Sequence, residues 1–227
     1  MQFFKTLKIK PWIYQNFEPS APMVPLLQDN EKTVITALKF FLAVVTVIFF
    51  LFTITFLQRT QSFDFQALSG EPWLPFSNAE LLWQNTGYLV LASISIVLAK
   101  IFAEQQRIYF IIFSLAATTL FTLLFISGQW QVWQQLNQAG FNISANPANS
   151  YYFLLTGVHG VHIVGGVLVL LRCIWDFGTG LPCQVLATRL KSCALYWHYL
   201  FFLWLFLFFL LTASADTFKS IALICGF

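Results

Sequence analysis

The chain has 227 residues, of which 58% are hydrophobic and only 9% charged, with a formal net charge of +3. Soluble domains carry about a quarter charged residues, so this composition excludes a soluble globular domain. A net charge this small also gives no basis for a nucleic-acid partner.

Residues 1–32 form the first segment. Lys5, Lys8 and Lys10 are followed by Pro11, Pro19, Pro22 and Pro25 where a cleavable signal peptide would have a continuous apolar core. This tail is expected to be extended or irregular at the membrane surface, with the first span serving as an uncleaved insertion signal. Five apolar runs follow, at 34–57, 86–101, 108–130, 151–171 and 194–213. About 20 apolar residues cross a hydrocarbon core of about 30 Å. The runs are continuous rather than alternating, which favours helices over barrel strands, and a helix satisfies its own backbone hydrogen bonds. The expected fold is therefore an all-α polytopic transmembrane helix bundle of five spans over 33–214, with a short outside tail over 215–227.

Charge sets the expected orientation. Lys5, Lys8, Lys10, Lys32, Lys39, Lys100, Arg107, Arg172, Arg189 and Lys191 fall on one side of the spans, and Arg59 and Lys219 on the other. The positive-inside rule then puts the N-terminus inside and the C-terminus outside. Between the spans, 58–84 reads as an outside loop with Asp64, Gly70, Glu71, Pro72, Pro75 and Glu80, anchored by Trp73 and Trp83. The turn at 103–107 is short enough to make spans two and three antiparallel neighbours. The uncharged stretch 131–150 has the composition to lie flat against a protein or the headgroups. Gly178, Gly180 and Pro182 break the inside loop before span five. Three of the four cysteines, Cys173, Cys183 and Cys193, lie at or near the inside, and Cys225 is terminal. Their ten-residue spacing matches no zinc pattern, which points to structural or incidental thiols.

No Asp or Glu falls within a span, which speaks against a proton or ion pump. The three histidines, His159, His162 and His198, carry the remaining argument. An ionisable residue at membrane depth is a functional-site hypothesis by default. At 100° per residue, Thr156, His159, His162 and Gly166 share one stripe of span four. Gly157 and Gly160 face roughly the opposite way and would admit a close helix. Three readings of the stripe stand side by side. A metal site would need a third ligand, and the depths of His162 and His198 differ by about 7 Å at 1.5 Å per residue. Interhelical hydrogen bonding is the plainest use. Contact with a lipid headgroup or an adjacent subunit is the third, for which Arg172 at the inner boundary is also placed. Tyr196-Trp197-His198-Tyr199 opens span five as an aromatic belt, and no separated histidine pair suggests a haem.

Three segments resemble subunit III of the haem–copper oxidases. TGVHGVHIVGG at 156–166 is similar to the family's Thr-Gly-x-His-x-x-His-Val-x-x-Gly signature. YWHYLFFLWLFLF at 196–208 resembles its Trp-His-Phe…Trp-Leu-Phe segment, and NTGYLVLASISIVLA at 85–99 its Asn-Thr…Ser-Ser helix. The resemblance covers most of 30–213 and points to the five-helix form. It implies a non-redox subunit without catalytic, cofactor or metal residues of its own. Haem and copper would belong to partner subunits I and II, with this chain stabilising subunit I and contacting phospholipid. Thr156, His159, His162, Arg172, Trp197 and His198 become candidate lipid or subunit contacts, and Gly157, Gly160 and Gly166 candidate helix-packing positions. The chain departs from the family at acidic positions. Phe201 stands where the family has Asp, the membrane glutamate of span one is missing, and a Gln and Trp stretch at 129–135 replaces acids before the histidine helix. Roles resting on those carboxylates do not carry over.

The resulting expectation is subunit III of a respiratory terminal oxidase, a non-catalytic subunit of the oxidase complex, in the bacterial inner membrane, with the mitochondrial inner membrane as alternative. Competing readings are an accessory protein of nitric oxide reduction and a free-standing lipid-binding or transport protein.

Overall fold

Among the described residues, five α-helices follow one another: α1 (Met23–Arg59), α2 (Glu80–Glu104), α3 (Ile108–Gln138), α4 (Pro147–Gly178) and α5 (Cys183–Thr212). The computed structural model describes residues 23–60, 80–144, 146–213 and 217, and all five helices are long and apolar enough to cross a membrane. The expectations for 1–22, for most of the 58–84 loop and for the C-terminal tail lie outside the described residues.

The helices run beyond the apolar runs that announce them. The first begins at Met23, inside the segment expected to be irregular. Pro25 is tolerated there because the first turn of a helix has no partner for its N–H groups. Helix α5 opens at Cys183 rather than at 194, since 183–193 is an amphipathic helical turn pattern. Leu186, Ala187, Leu190 and Cys193 are buried while Arg189 and Lys191 face outward. Helix α3 likewise continues to Gln138, burying Val132 and Leu136, so the first part of 131–150 extends the helix instead of lying flat. At 32 residues, α4 is about 48 Å long and outruns the hydrocarbon core.

Tight caps make these helices antiparallel neighbours. Three helices end on a residue with positive φ: Gln106 at 57°, Gly140 at 87° and Gly180 at 101°. In each case the next N–H reaches back to a carbonyl five residues earlier, as in Arg107 to Phe102 (3.0 Å), Phe141 to Leu136 (2.9 Å) and Leu181 to Asp176 (3.1 Å). Glycine adopts this conformation at no steric cost, which is why two of the three positions are Gly. Asn146 caps α4, its side chain accepting from the Ala148 N–H at 3.2 Å, with Pro147 as the first helical residue.

Among the described residues, helices α2 and α3 pair most extensively, α5 packs on both α2 and α4, and α1 rests on α4 and α5. The interior has two clusters. One, at the end carrying the two short turns, is built from Ala92, Ile96, Ala99, Ala103, Ile111, Leu170, Leu186, Leu190 and neighbours. The other, toward the opposite end, is built on large rings, among them Phe49, Phe56, Phe125, Tyr152 and Trp204. Many large apolar side chains, such as Phe40, Phe113, Val161 and Leu168, face outward, which suits lipid or a protein partner.

Candidate functional site

Helix α4 distributes its polar residues among three neighbours. His159 is 1% exposed and lies between α3 and α5. Its ring stacks on Trp204 at 5.5 Å and meets the edge of Phe125 at 6.1 Å. Trp204 is held in turn by its indole N–H, which donates to the Thr86 hydroxyl at 3.0 Å. Neither ring nitrogen of His159 has a hydrogen-bond partner among the described residues.

His162 turns to a different neighbour. Its ring lies 5.9 Å from Phe49 and 6.3 Å from Phe41, both on α1. Its Nδ1 is 2.7 Å from the Val158 carbonyl, one turn back on its own helix. A carbonyl only accepts, so Nδ1 carries the proton in this contact. The His162 carbonyl accepts from the Tyr196 hydroxyl at 2.9 Å, tying α4 to α5. His198 instead pairs its Nδ1 with the Ser93 hydroxyl of α2 at 2.5 Å.

The three histidines therefore face α3 and α5, α1, and α2 respectively. The described residues bring no three His, Cys, Asp or Glu side chains together around one point.

Around the histidines, Thr156 is buried and donates to the Tyr152 carbonyl at 2.6 Å while accepting from the Trp133 indole at 3.2 Å. Trp197 is buried against Gly166, where an added Cβ would stand 2.9 Å from Tyr196 and 3.2 Å from Trp197. Gly166 thus sets the close approach of α4 and α5. Gly157 and Gly160 border a groove of about 320 Å³ between α3 and α4, lined also by Phe125, Trp130 and Trp133. A Cβ on Gly160 would meet nothing within 4 Å, and one on Gly157 would reach only Trp133 at 3.8 Å. Arg172 is exposed on the outer face of α4.

Three residues of the arrangement, Gly128, Asn85 and Gln129, are not among the candidate site residues read from the sequence. Gly128 packs under the Asn85 amide so closely that a Cβ would stand 2.0 Å from its oxygen. Asn85 is fully buried, and its amide has no hydrogen-bond partner among the described residues. Gln129, in the stretch that replaces the family's acids, is buried and donates to the Tyr152 hydroxyl at 2.8 Å. A lone amide or glycine within an otherwise apolar run was the available signal, but its facing neighbour is not encoded nearby.

Comparison with known proteins follows the same segments. The family described as Cytochrome c oxidase subunit III matches residues 26–213. "Cytochrome c oxidase subunit 3" of Arabidopsis thaliana is 32% identical over 139 residues, covering 61% of this chain and 49% of that protein. "Probable cytochrome c oxidase subunit 3" of Mycobacterium bovis is 27% identical over 149 residues, 64% of this chain and 73% of that protein. "Cytochrome bo(3) ubiquinol oxidase subunit 3" of Buchnera aphidicola is 28% identical over 131 residues, 58% of this chain and 64% of that protein. The chain spans about half the length of the plant relatives it matches.

Proposed function

The chain belongs to the cytochrome c oxidase subunit III family, and on that premise we propose that it works as the non-redox third subunit of a haem–copper terminal oxidase. It is a multi-pass inner-membrane protein. The match across 26–213, which takes in nearly all of the five helices, is the observation that carries the proposal. Relatives named for cytochrome c oxidases and for a ubiquinol oxidase favour an oxidase complex over the nitric oxide reduction and transport readings.

In this reading haem and copper reside in partner subunits I and II, and this chain stabilises subunit I. The N-terminus lies inside and the C-terminus outside, supported by the clustering of Lys32, Lys39, Lys100, Arg107, Arg172, Arg189 and Lys191 at one end of the bundle. Exposed Arg172 at that end is suited to a phospholipid headgroup or a partner carboxylate. Thr156, His159, His162, Trp197 and His198 support the contact surface from within, by fixing how α4 and α5 sit against their neighbours. Gly166 serves the same packing directly, and Gly157 and Gly160 leave a smooth wall open for an acyl chain or a partner helix.

The test is copurification. The tagged chain, extracted from its own membranes in mild detergent, should bring down a larger subunit with a haem absorption spectrum. A fully folded chain recovered alone, free of haem, would overturn the proposal. His159→Ala and His162→Ala should weaken that association while leaving the metal content of the recovered complex unchanged per subunit I. Loss of a stoichiometric metal in both variants would contradict the packing role.

A further inference from the structure

Cys173 and Cys193 are twenty positions apart in sequence, yet the antiparallel α4–α5 hairpin places their sulfurs 3.9 Å apart. Both thiols are free and buried. Two contacts hold the register on either side of them. Toward the turn, Arg189 pairs with Asp176. Away from it, Gly166 lets α5 approach through Tyr196 and Trp197. The two sulfurs thus sit opposite one another between an ion pair on one side and a close helix approach on the other.

A disulfide has an S–S bond of about 2.05 Å, so the pair must close by about 2 Å. Rotation about the two Cα–Cβ bonds can supply motion of that size. Cys193 also lines a groove of about 340 Å³ between α1, α4 and α5, walled by Leu38, Phe41, Gly165 and Val169. These walls are apolar. They admit a membrane-dissolved molecule more readily than a hydrated one.

We propose that Cys173 and Cys193 form a redox-active dithiol, which an organic hydroperoxide dissolved in the membrane converts to a disulfide joining α4 and α5. Cys193, at the groove, is the attacking group. Its sulfur takes the terminal oxygen of the hydroperoxide, the O–O bond breaks, and the alcohol leaves with the thiol proton, giving a sulfenic acid at Cys193. The Cys173 sulfur then attacks Cys193, the S–O bond breaks and water leaves with the second thiol proton. Two electrons pass from the two thiols to the peroxide. A dithiol reductant restores the pair by exchange. The consequence is a covalent tie across a helix pair whose other contacts are noncovalent.

The experiment uses the full-length chain in its own membranes, exposed to cumene hydroperoxide and then denatured and alkylated. Wild type should lose two alkylatable thiols together and yield one linked peptide pair containing Cys173 and Cys193, both reversed by dithiothreitol. Cys173→Ser should halt at a Cys193 sulfenic acid that dimedone traps, and Cys183→Ala should behave as wild type. Filling the groove with Val169→Trp should slow the loss several-fold. Recovery of both thiols unmodified after treatment would overturn the proposal, as would oxidation confined to Cys183 or a linked pair that omits Cys173.

Discussion

The two ends of the bundle interior solve the same packing problem in different ways. Near the α2–α3 and α4–α5 turns, Ala92, Ala99 and Ala103 are fully buried and leave α2 close to its neighbours. Toward the other end, rings from four helices fill the wider space, with Trp204 in contact with Phe125, His159 and Thr86. Without a hydrophobic driving force between helices in lipid, both ends depend on dispersion contacts and interhelical hydrogen bonds. Small side chains gain those contacts by bringing backbones together. Large ones gain them by interlocking. Among the described residues, the ring-built end also contains the buried side chains with unpartnered polar atoms, Asn85, Gln129 and His159. Buried polar atoms without a partner are therefore concentrated at one end, and buried alanines at the other.

The comparison can be broken most severely at Trp204. Trp204→Ala removes the centre of the ring-built cluster and should cost about 3–5 kcal/mol, read as lost resistance to denaturation in detergent micelles. A loss below about 1 kcal/mol would mean that the rings fill space without interlocking. At the opposite end, Ala99→Leu forces a larger side chain into a fully buried site and should cost about 1–3 kcal/mol by the same assay. An unchanged stability would show that α2 is not held close there. Gly128→Ala should cost a similar amount, about 1–3 kcal/mol, because its Cβ would collide with the Asn85 amide. The double variant with Asn85→Ala should recover most of that loss. Failure to recover would place the clash elsewhere.

Smaller effects sharpen the polar side of the contrast. His159→Phe keeps a ring against Trp204 and removes two buried nitrogens, so melting of the isolated chain should be unchanged or raised by about 1 kcal/mol. A clear drop would reveal a hydrogen bond made by His159 in solution. Ser93→Ala, which deletes the partner of His198, should cost only about 0.6 kcal/mol, the usual size of such bonds in membrane bundles.

Several features were legible without coordinates because their causes are local. The five runs announced five helices, since bilayer thickness and the need to satisfy backbone groups act on each segment separately. Gly180 signalled the stop of α4 because a positive φ selects glycine there. Helix limits were less legible. Hydropathy marks only the membrane-crossing part, so the amphipathic 183–193 and the polar-faced end of α3 were missed.

The sequence alone determined that the described residues hold five long apolar helices, roughly where they lie, and that polar groups mark one stripe of α4. It also carried the family resemblance in the segment around His159 and His162. The tertiary structure alone decided which neighbour each of those groups meets. His159 and His162, three residues apart, differ by about 60° around a helix of 3.6 residues per turn. That angle is enough to send one ring to Trp204 and the other to Phe49. The pairing of Gly128 with Asn85 and of Cys173 with Cys193 was decided the same way. A helix's rotation and register within a bundle are set by side chains on other helices, and no local pattern in the chain encodes them.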